Sequence, residues 1–564
     1  MKLDTECESI RMCVNNVVNF SGAINLCRIH VHSRTFDWMQ PPNRSGASGG
    51  TGTGFILSEL SAMDSSSIII TTAYHVVANA VRIQVNFTLI MAKYVEATLI
   101  GCNAEMDVAF LKIVDPSILR EYGTQLSGLG IGSSNIKGAE VIAHGFALGK
   151  PHLQETKGII SGRVEAPSRL QLDASVNPGN SGGPIVNKKH EVIGVVVSGL
   201  TTARGINFAA PIEETIVIGK RILSSTKHPI YDRLPSLNAS FAKANEALLA
   251  QMAPSASNKG VYCNAIHPVI AYPQTKAGAF FNLQQGVKDR SLEVVDFERI
   301  RDGIDTEFDD NRIHTRDTWG RLLRRLSFTE HSIDRILDTL RNDTLREGDI
   351  VNAIIVRKKT YDIDLQMGCE MPMWKSDRLH FTSVLDALKI GDTVTLAIIR
   401  NRIPRKIHVT LQPDLNVFRY KYPETTKITY LIVGGLILIE LTRNHLPFFK
   451  EYNLRPLMDR PYNRFLSIVF ISHILPSSPF NKCEDVKEGD LLSFINDVPI
   501  ETLRDCLVLI RNEMKESTSL TLRTRDGALT TANVVDIQEE DTRIEKMYGE
   551  EYTFEFSSKL IQEN

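Results

Sequence analysis

Short apolar segments separated by turn residues dominate residues 20–220 of the chain. β-Branched and alternating runs occur at residues 23–32, 81–87, 97–100 and 140–144, whereas residues 36–54 are rich in Gly, Pro and Ser. Many short strands at this spacing are typical of β-barrels, and the Gly-rich stretch predicts an exposed loop.

Helical periodicity begins after this region. Residues 213–223 have helical spacing and are expected to close the first domain. A second helix is predicted over residues 240–252, where four apolar side chains fall on one face: Phe241, Ala244, Leu248 and Met252. Residues 284–342 have a charged helical pattern with one core-facing stripe, formed by Ile333, Ile336, Leu337 and Leu340. We interpret this segment as a packed lid or brace rather than as a second active site.

The composition is that of a soluble globular protein. A chain of 564 residues is too long for one hydrophobic core and predicts about three or four domains. Apolar residues make up 43% and charged residues 23%. The 64 basic and 66 acidic residues nearly cancel, so the charge gives no indication of a nucleic-acid partner.

The cysteines and the hydropathy of the chain indicate the cellular compartment of the protein. The eight cysteines are scattered without a CxxC pair, which favours reduced thiols over a disulfide scaffold or a zinc site. The first residues lack the apolar core of a signal peptide, and the longest apolar stretch, residues 428–439, is too short to span a bilayer. We therefore expect a soluble intracellular protein, cytoplasmic or nuclear, with no membrane partner, metal or other cofactor.

One turn carries the residue types of a nucleophilic site. Residues 179–183 read Gly-Asn-Ser-Gly-Gly, which places the Ser181 hydroxyl where unusual dihedrals are tolerated and backbone N–H groups can converge. Such donors stabilise the oxyanion of an acyl-transfer reaction by about 2.7–4 kcal/mol each. We assign an oxyanion hole to Gly179, Asn180 and Ser181, with the N–H groups of Gly179 and Ser181 as donors. Alone, the motif is equally compatible with a Gly-rich turn in a β protein.

A serine nucleophile needs a base and a residue that orients this base. His75 ends a β-branched run that begins at residue 68, and Asp107 begins an alternating strand. Alone, each has a more ordinary explanation, as a core histidine or as a turn carboxylate. The order His, Asp, Ser is one of the known triad orders, so we assign His75 as general base, Asp107 as its orienting group and Ser181 as nucleophile.

Seven segments resemble the HtrA/Deg family of serine proteases, in the order that the family has: residues 52–57, 72–77, 107–112, 158–161, 173–184, 192–195 and 206–211. Tyr74 stands where the family usually has Asn or Ala, and Ser175 and Val176 stand where it has Ala or Ile. None of these changes removes a catalytic group. The resemblance implies two six-stranded barrels with the active site in the cleft.

The same resemblance points to a substrate site. Ser175 precedes Ser181 by six residues, a position that lies toward the base of the primary pocket in this fold. A small uncharged residue there offers no partner to Lys or Arg, so we expect broad cleavage after small or medium aliphatic residues. Residues 195–200 are expected to pair with substrate backbone, with Val197, Ser198 and Gly199 assigned to substrate binding.

Gly-Asp turns that lead into apolar strands occur in residues 345–354, 388–400 and 486–499, and they resemble PDZ domains of the HtrA type. Residues 430–442 resemble a PDZ carboxylate-binding loop and its strand, whose exposed N–H groups capture a chain end. The expected fold class is mainly β with α: a trypsin-like double β-barrel protease domain followed by two PDZ-like α+β domains. The domain prediction is a lead-in at 1–19, the protease at 20–225, a helical connector at 226–259, a PDZ-like domain at 260–413 with a helical insertion at about 284–342, a second PDZ-like domain at 414–540, and a tail at 541–564.

These features together resemble plant and microbial Deg proteases. The leading hypothesis is an ATP-independent serine endopeptidase that hydrolyses peptide bonds in unfolded or damaged proteins through an acyl-enzyme. Its partners would be unfolded or partly folded proteins and peptides, and the resemblance implies a homo-oligomer, a trimer or a multiple of trimers. Two alternatives remain: a peptide-binding or holdase protein with a silent protease domain, and a processing protease for one dedicated partner.

Overall fold

The fold was analysed in a computed structural model, which describes residues 21–64, 66–133, 136–164, 168–199, 205–226, 228–252, 259–266, 345–371, 374–414, 419–423, 426–449, 467–482 and 486–562. The predicted lead-in and the predicted insertion at 284–342 lie outside these ranges. The chain divides into two compact units. Unit 1 comprises Met1–His30, Thr51–Val77 and Ile83–Leu415, and unit 2 comprises Val31–Gly50, Ala78–Arg82 and Asn416–Asn564.

The first barrel has the strand order β5-β4-β1-β2-β3-β6 and is closed by pairing between β5 and β6. Its strands are β1 (Leu26–Phe36), β2 (Arg44–Phe55), β3 (Ile68–Thr72), β4 (Ala80–Asn86), β5 (Val95–Asn103) and β6 (Val108–Ile113). Three short helices lie between or after them: α1 (Ser58–Ser61), α2 (Tyr74–Val77) and α3 (Pro116–Tyr122). Buried apolar side chains such as Ile29, Phe55 and Phe110 fill the interior.

The prediction of a loop over residues 36–54 is wrong for its second half, because β2 begins at Arg44. Glycine is required in this strand by close approach of neighbouring side chains. A Cβ on Gly52 would lie 2.4 Å from Cγ1 of Val76, and a Cβ on Gly54 would lie 2.7 Å from Cγ2 of Ile70. Gly-rich strands of this kind have the composition of loops, which explains the error.

The second barrel is closed by six strands in the order β10-β11-β12-β9-β8-β7. Their bounds are β7 (Glu140–Gly145), β8 (Gln154–Val164), β9 (Arg169–Leu172), β10 (Pro184–Val186), β11 (Val192–Gly199) and β12 (Asn207–Pro211). Helix α4 (Ile212–Leu223) follows directly and confirms the helix predicted over residues 213–223. The two barrels confirm the expected double β-barrel.

A third sheet in unit 1 has the order β15-β16-β17-β21-β22, with β18 paired to β17. The strands from the connector onward are β13 (Ile230–Tyr231), β14 (Pro235–Ser236), β15 (Ala239–Lys243), β16 (Val261–Ile266), β17 (Ile350–Val356), β18 (Lys359–Asp362), β19 (Gly368–Met371), β20 (Trp374–His380), β21 (Thr393–Arg400), β22 (Ile403–Thr410) and β23 (Gln412–Pro413). A 3-10 helix covers Phe381–Ala387. The third sheet fits the first predicted PDZ-like domain, whereas β13 pairs with β5 of the first barrel.

The connector differs from its prediction as a helix over residues 240–252. Its first part is strand β15, which pairs with β16, and only α5 (Glu246–Met252) is helical. The apolar Phe241 faces the ring of Phe381 at 5.0 Å between centroids. Tertiary packing on the sheet therefore overrides the helical spacing of the sequence.

The second barrel and the third sheet share one buried apolar cluster. It includes Val141 and Leu170 from the barrel and Leu396, Phe381 and Trp374 from the sheet region. A polar contact joins the same two parts, since Nη1 of Arg221 in α4 donates to the carbonyl of Leu388 at 2.8 Å.

Unit 2 contains a sheet of order β24-β25-β26 and a sheet of order β28-β27-β29-β30. The strands are β24 (Tyr430–Val433), β25 (Leu436–Glu440), β26 (Val469–Ile474), β27 (Leu492–Ile495), β28 (Val498–Pro499), β29 (Ser519–Thr524) and β30 (Leu529–Asn533). The helices are α6 (Leu503–Glu516), α7 (Val534–Tyr548) and α8 (Phe554–Gln562). The sheets fit the second predicted PDZ-like domain.

The segment predicted to be a carboxylate-binding loop is a tight hairpin. Val433 pairs with Leu436, so Gly434 and Gly435 form a two-residue turn with φ of 51° and 80°. Such turns require positive φ at both positions, which glycine adopts without strain. The N–H of Gly434 donates to Oδ1 of Asp541 at 2.9 Å, so this donor is already used within the chain. The expectation of an exposed N–H at Gly434 is therefore wrong.

The predicted tail at 541–564 is part of unit 2. Helix α7 runs through the expected boundary at residue 540, and α8 packs against β24, where the N–H of Ile432 donates to Oγ of Ser557 at 3.0 Å. The polar sequence after residue 539 predicts a final helix or an ordered arm, and the segment is helical, with its apolar faces buried. Among the described residues, no helix is long and apolar enough to cross a membrane.

Candidate active site

His75 follows a strand that is buried along its whole length. β3 pairs with β2 and β6, and its β-branched residues pack into the first barrel. The chain leaves the strand after Thr72, and the short helix α2 turns the imidazole outward. The side chain of His75 is 45% exposed, so its ring is accessible at the edge of the barrel.

Asp107 orients this imidazole through two contacts. The residue adopts a left-handed backbone conformation with φ of 57°, which Asp tolerates better than most residues. The backbone N–H of His75 donates to Oδ1 of Asp107 at 2.8 Å, and Nδ1 of His75 lies 2.8 Å from Oδ2. Because a carboxylate accepts but does not donate, Nδ1 carries the proton and Nε2 presents its lone pair. This tautomer is the one that a general base requires.

The nucleophile turn begins as a type II β-turn over residues 177–180. The N–H of Asn180 donates to the carbonyl of Asn177 at 3.0 Å. Pro178 occupies the second position, and Gly179 has φ of 97° at the third position, where this turn requires a value near +80°. The sequence Asn-Pro-Gly-Asn therefore fixes the backbone that leads to Ser181.

Most backbone groups around this turn are hydrogen-bonded, but two N–H donors have no acceptor among the described residues. The carbonyl of Pro178 accepts from the N–H of Leu148 at 2.6 Å, and the carbonyl of Ser181 accepts from the N–H of Thr53 at 2.9 Å. In the described part of the chain, the N–H groups of Gly179 and Ser181 have no protein acceptor. Since the N–H and C=O of a trans peptide point in opposite directions, the Gly179 N–H points away from Leu148.

Asn180 differs from its predicted role. It was assigned to the oxyanion hole together with Gly179 and Ser181, but its N–H is the internal donor of the type II turn. It is therefore not available to a ligand. The two donors that the geometry leaves for an oxyanion are those of Gly179 and Ser181.

The serine turn lies against the end of the strand that leads to His75. A Cβ on Gly182 would lie 2.2 Å from Oγ1 of Thr72 and 2.8 Å from the backbone nitrogen of Ala73. The side chains of Ser181 and His75 form no hydrogen bond with each other in the described part of the chain. Catalytic hydrogen bonds are often long in the absence of substrate. The three predicted triad residues thus meet at one edge, with the His75–Asp107 pair already formed.

A second histidine lies close to the serine turn. The carbonyl of His144 would be 2.1 Å from a Cβ on Gly183, and its side chain is fully buried. Burial lowers the pKa of His144 to about 4. The ring is therefore neutral and inaccessible to substrate, so it is a poor candidate for the base.

The predicted substrate residues lie in two places, Ser175 before the nucleophile turn and residues 197–199 in β11. Ser175 is exposed, and its carbonyl accepts from Oγ1 of Thr156 at 2.7 Å. In β11, Ser198 pairs with Phe208 and Gly199 pairs with Asn207 of β12, whereas pairing with β10 extends only to Val195. Val197 is buried within the same strand. In the described residues, the β10 side of residues 197–199 is therefore an open strand edge, and the cleavage preference stays a prediction.

Sequence reasoning missed the contribution of Thr53. The motif Gly52-Thr53-Gly54 carried part of the family resemblance, but the threonine received no role. Its hydroxyl is fully buried and contacts Gly179 and Phe146. The sequence showed only a polar side chain between two glycines, which did not indicate these partners.

Comparison with known proteins agrees with this geometry. A family model described as a trypsin-like peptidase domain matches residues 52–195. This region is a trypsin-like peptidase domain. The match spans the segments that carry His75, Asp107 and Ser181, and it agrees with the predicted trypsin-like serine protease domain.

Curated relatives carry serine protease names. The chain is 36% identical to the putative serine protease HhoB of Synechocystis sp. over 210 residues, which are 35% of this chain and 46% of the relative. It is 25% identical to the chloroplastic Protease Do-like 1 of Arabidopsis thaliana over 428 residues, which are 73% of each chain. Three relatives, HhoB among them, are matched over 46%, 58% and 47% of their own length, so this chain spans about half of each.

Two solved structures are also similar to this chain. One is the HtrA-type protease AlgW with a tripeptide, at 16% identity and a TM-score of 0.42, covering 69% of this chain and 94% of that chain. Another is the serine endoprotease from Yersinia pestis, at 17% identity and a TM-score of 0.38, covering 70% of this chain and 95% of that chain.

Proposed function

We propose that the protein is a serine endopeptidase of the HtrA/Deg type. The observation that carries this proposal is the His75–Asp107 pair, bonded at 2.8 Å, beside a serine turn with two unused N–H donors. In the proposed reaction, Nε2 of His75 takes the proton of Ser181 Oγ as this oxygen attacks a peptide carbonyl. The N–H groups of Gly179 and Ser181 would stabilise the oxyanion, and His75 would then protonate the leaving amine. Water hydrolyses the acyl-enzyme by the same steps.

The open edge of β11 supports an unfolded or partly folded polypeptide as substrate. A peptide can add to this edge only if its own backbone is extended and unpaired. Folded proteins rarely present such a segment, whereas unfolded proteins and flexible peptides do. We propose broad cleavage after small or medium aliphatic residues, since Ser175 provides no charge for a basic side chain.

Labelling with a fluorophosphonate probe tests the proposed nucleophile. We expect the wild-type protein to be labelled at Ser181 and to degrade casein, and Ser181→Ala to lose both activities while remaining folded, because the change removes only one oxygen. Ser161→Ala, a serine in β8 of the same barrel, is the matched control and should keep both activities. Labelling of the Ser181→Ala protein, or its proteolysis at more than a trace of the wild-type rate, would refute the assignment.

One observation favours a second candidate, a peptide-binding or holdase protein whose protease domain is latent. Ser181 and His75 are not hydrogen-bonded in the described residues. A latent protein would bind unfolded protein without labelling by the probe, so the same experiment separates the two functions. A processing protease for one partner would label but would leave casein intact.

Two further proposals concern the whole molecule. The resemblance to HtrA/Deg proteases supports a homo-oligomer, a trimer or a multiple of trimers, which light scattering of the purified protein would test. The five cysteines in the described residues are buried thiols, which supports an intracellular location.

A further inference from the structure

Thr53 makes four hydrogen bonds that connect both barrels at the candidate active site. Its Oγ1 donates to the carbonyl of Gly179 at 2.7 Å and accepts from the N–H of Phe146 at 3.0 Å. Its backbone N–H donates to the carbonyl of Ser181 at 2.9 Å, and its own carbonyl accepts from Oγ1 of Thr72 at 2.8 Å. The residue is fully buried, so water does not compete for these partners.

These bonds act on the peptide plane that lies between the two proposed oxyanion donors. The Gly179 N–H belongs to the peptide after Pro178, and the Ser181 N–H belongs to the peptide after Asn180. The peptide of Gly179 and Asn180 joins them, and it is held at its carbonyl by Thr53 and at its N–H by Asn177. Glycine is the point at which this backbone could most easily rotate. The hydroxyl of Thr53 restrains that rotation.

We propose that Thr53 is a positioning residue that keeps the N–H groups of Gly179 and Ser181 directed at the reacting carbonyl. This inference rests on the proposed endopeptidase function and extends it to a side chain of the first barrel. Through Phe146, the same hydroxyl ties the turn at residues 146–149 to the nucleophile turn, where Leu148 already bonds Pro178. Through Thr72, the same residue is connected to the end of β3, the strand that leads to His75. Thr53 touches neither substrate nor the reacting atoms.

The test compares Thr53→Val with Thr53→Ser in the full-length protein. Valine has nearly the shape of threonine but leaves the Gly179 carbonyl and the Phe146 N–H without a hydroxyl partner, whereas serine keeps the hydroxyl. Removal of a whole oxyanion donor costs about 100- to 1,000-fold in kcat, so we expect Thr53→Val to lower kcat by about 10- to 100-fold. The rate of fluorophosphonate labelling should fall in parallel. KM for a short peptide should change by less than about twofold, because binding of the ground state does not use these donors.

The matched control is Thr71→Val. Thr71 is a buried threonine of the adjacent strand β3, and its Oγ1 has no hydrogen-bond partner in the described residues. This variant removes a buried hydroxyl without breaking a hydrogen bond, and it should keep the wild-type kcat. Thr53→Ser should keep kcat within about threefold of wild type, as rescue by the conservative variant requires.

The outcomes separate positioning from a structural role. A folded Thr53→Val protein with the kcat of the Thr71→Val protein would overturn the proposal, and so would a loss confined to KM. If near-ultraviolet circular dichroism shows that Thr53→Val does not fold, Thr53→Cys replaces it, and its kcat is compared with that of Thr71→Val in the same way. A thiol is similar in size to the hydroxyl but is only a weak donor. A wild-type protein that neither cleaves peptide nor reacts with the probe would refute the proposed function itself, and this inference with it.

Discussion

At the scale of the residue, the candidate site depends on which nitrogen of His75 carries a proton. Asp107 accepts at both carboxylate oxygens, from the backbone N–H and from Nδ1 of His75. The left-handed conformation of Asp107 makes this double contact possible, because it places the backbone of one strand end against α2. The orientation of the His75 imidazole therefore depends both on the side chain of Asp107 and on its left-handed backbone conformation.

We predict that Asp107→Asn lowers kcat by about 10,000-fold without unfolding the protein. Asparagine tolerates the left-handed conformation, but its amide group would donate toward Nδ1 and thereby move the imidazole proton to Nε2. A protonated Nε2 cannot take the proton of Ser181. The measurement is kcat on a peptide substrate, with circular dichroism as a check of folding.

Asp115→Asn is the control for this prediction. Asp115 caps α3 by accepting from the N–H of Ser117 at 2.8 Å, away from the candidate site, and the change should leave kcat unaltered. If the Asp107→Asn protein kept more than about a tenth of the wild-type kcat, His75 would not act as the base in the manner proposed.

The sequence indicates the candidate residues more directly than it indicates their contacts. Triad types are recognisable because Ser, His and Asp stand in short motifs whose neighbours are restricted by strand and turn geometry. The role of Thr53 was not predictable, because its partners Gly179 and Phe146 lie 126 and 93 residues away in sequence. The use of the Asn180 N–H follows from the type II turn of Asn-Pro-Gly-Asn, a turn signal that the assignment of Asn180 to the oxyanion hole overlooked.

At the scale of the element, predictions from composition and spacing were wrong where tertiary packing determines the structure. The strand β2 is Gly-rich because Val76 and Ile70 approach its backbone, and the strand β15 has helical spacing but pairs with β16. The helices α7 and α8 have polar sequences but bury one face each. In each case, the deciding contact is made to a segment that is distant in the chain.

We predict that Ser557→Ala destabilises the β24 region of unit 2 by about 1–3 kcal/mol. The change leaves the buried N–H of Ile432 without the acceptor that Ser557 Oγ provides at 3.0 Å. Hydrogen exchange of peptides that cover residues 430–440 measures the free energy of local opening.

The neighbouring serine provides a matched control. Ser558 is also buried, but its hydroxyl donates to the carbonyl of Glu555 within the same helix, at 2.9 Å. Ser558→Ala should change the free energy of opening by less than about 0.5 kcal/mol. Equal exchange in the two variants would mean that α8 does not hold β24 through this bond.

At the scale of the whole molecule, unit 1 joins its second barrel to the first PDZ-like sheet through an acidic cluster. Arg163 of β8 forms an ion pair with Glu214 of α4, and both side chains are buried. Asp386, in the 3-10 helix that precedes β21, interacts electrostatically with these two residues and with Glu105, and it accepts from the backbone N–H of Ser168. Arg163 therefore provides a positive charge beside the buried carboxyl groups of Glu214 and Asp386.

Burial raises the pKa of Asp386 to about 8, and the negative charge of Glu214 contributes to the same shift, whereas Arg163 opposes it. The folded state therefore holds a proton on Asp386 at pH values where the unfolded state, with an ordinary carboxyl pKa near 3.9, has lost it. Since the folded state binds more protons in this window, the free energy of unfolding falls as pH rises from about 4 to about 8. The slope from this group is at most about 1.4 kcal/mol per pH unit.

We predict that Asp386→Asn removes this contribution, because asparagine is neutral at every pH in the window and still accepts from the Ser168 N–H. The difference in the free energy of unfolding of unit 1, variant minus wild type, should increase steadily between pH 5 and pH 8. Calorimetric melting of the full chain at several pH values measures this difference.

Asp392→Asn is the control, since Asp392 is a partly exposed carboxyl in the same segment and accepts from the N–H of Lys389. An Asp386→Asn protein whose melting temperature followed the wild-type dependence on pH would mean that Asp386 is ionised in the folded protein, and that the contact between barrel and sheet does not depend on its proton.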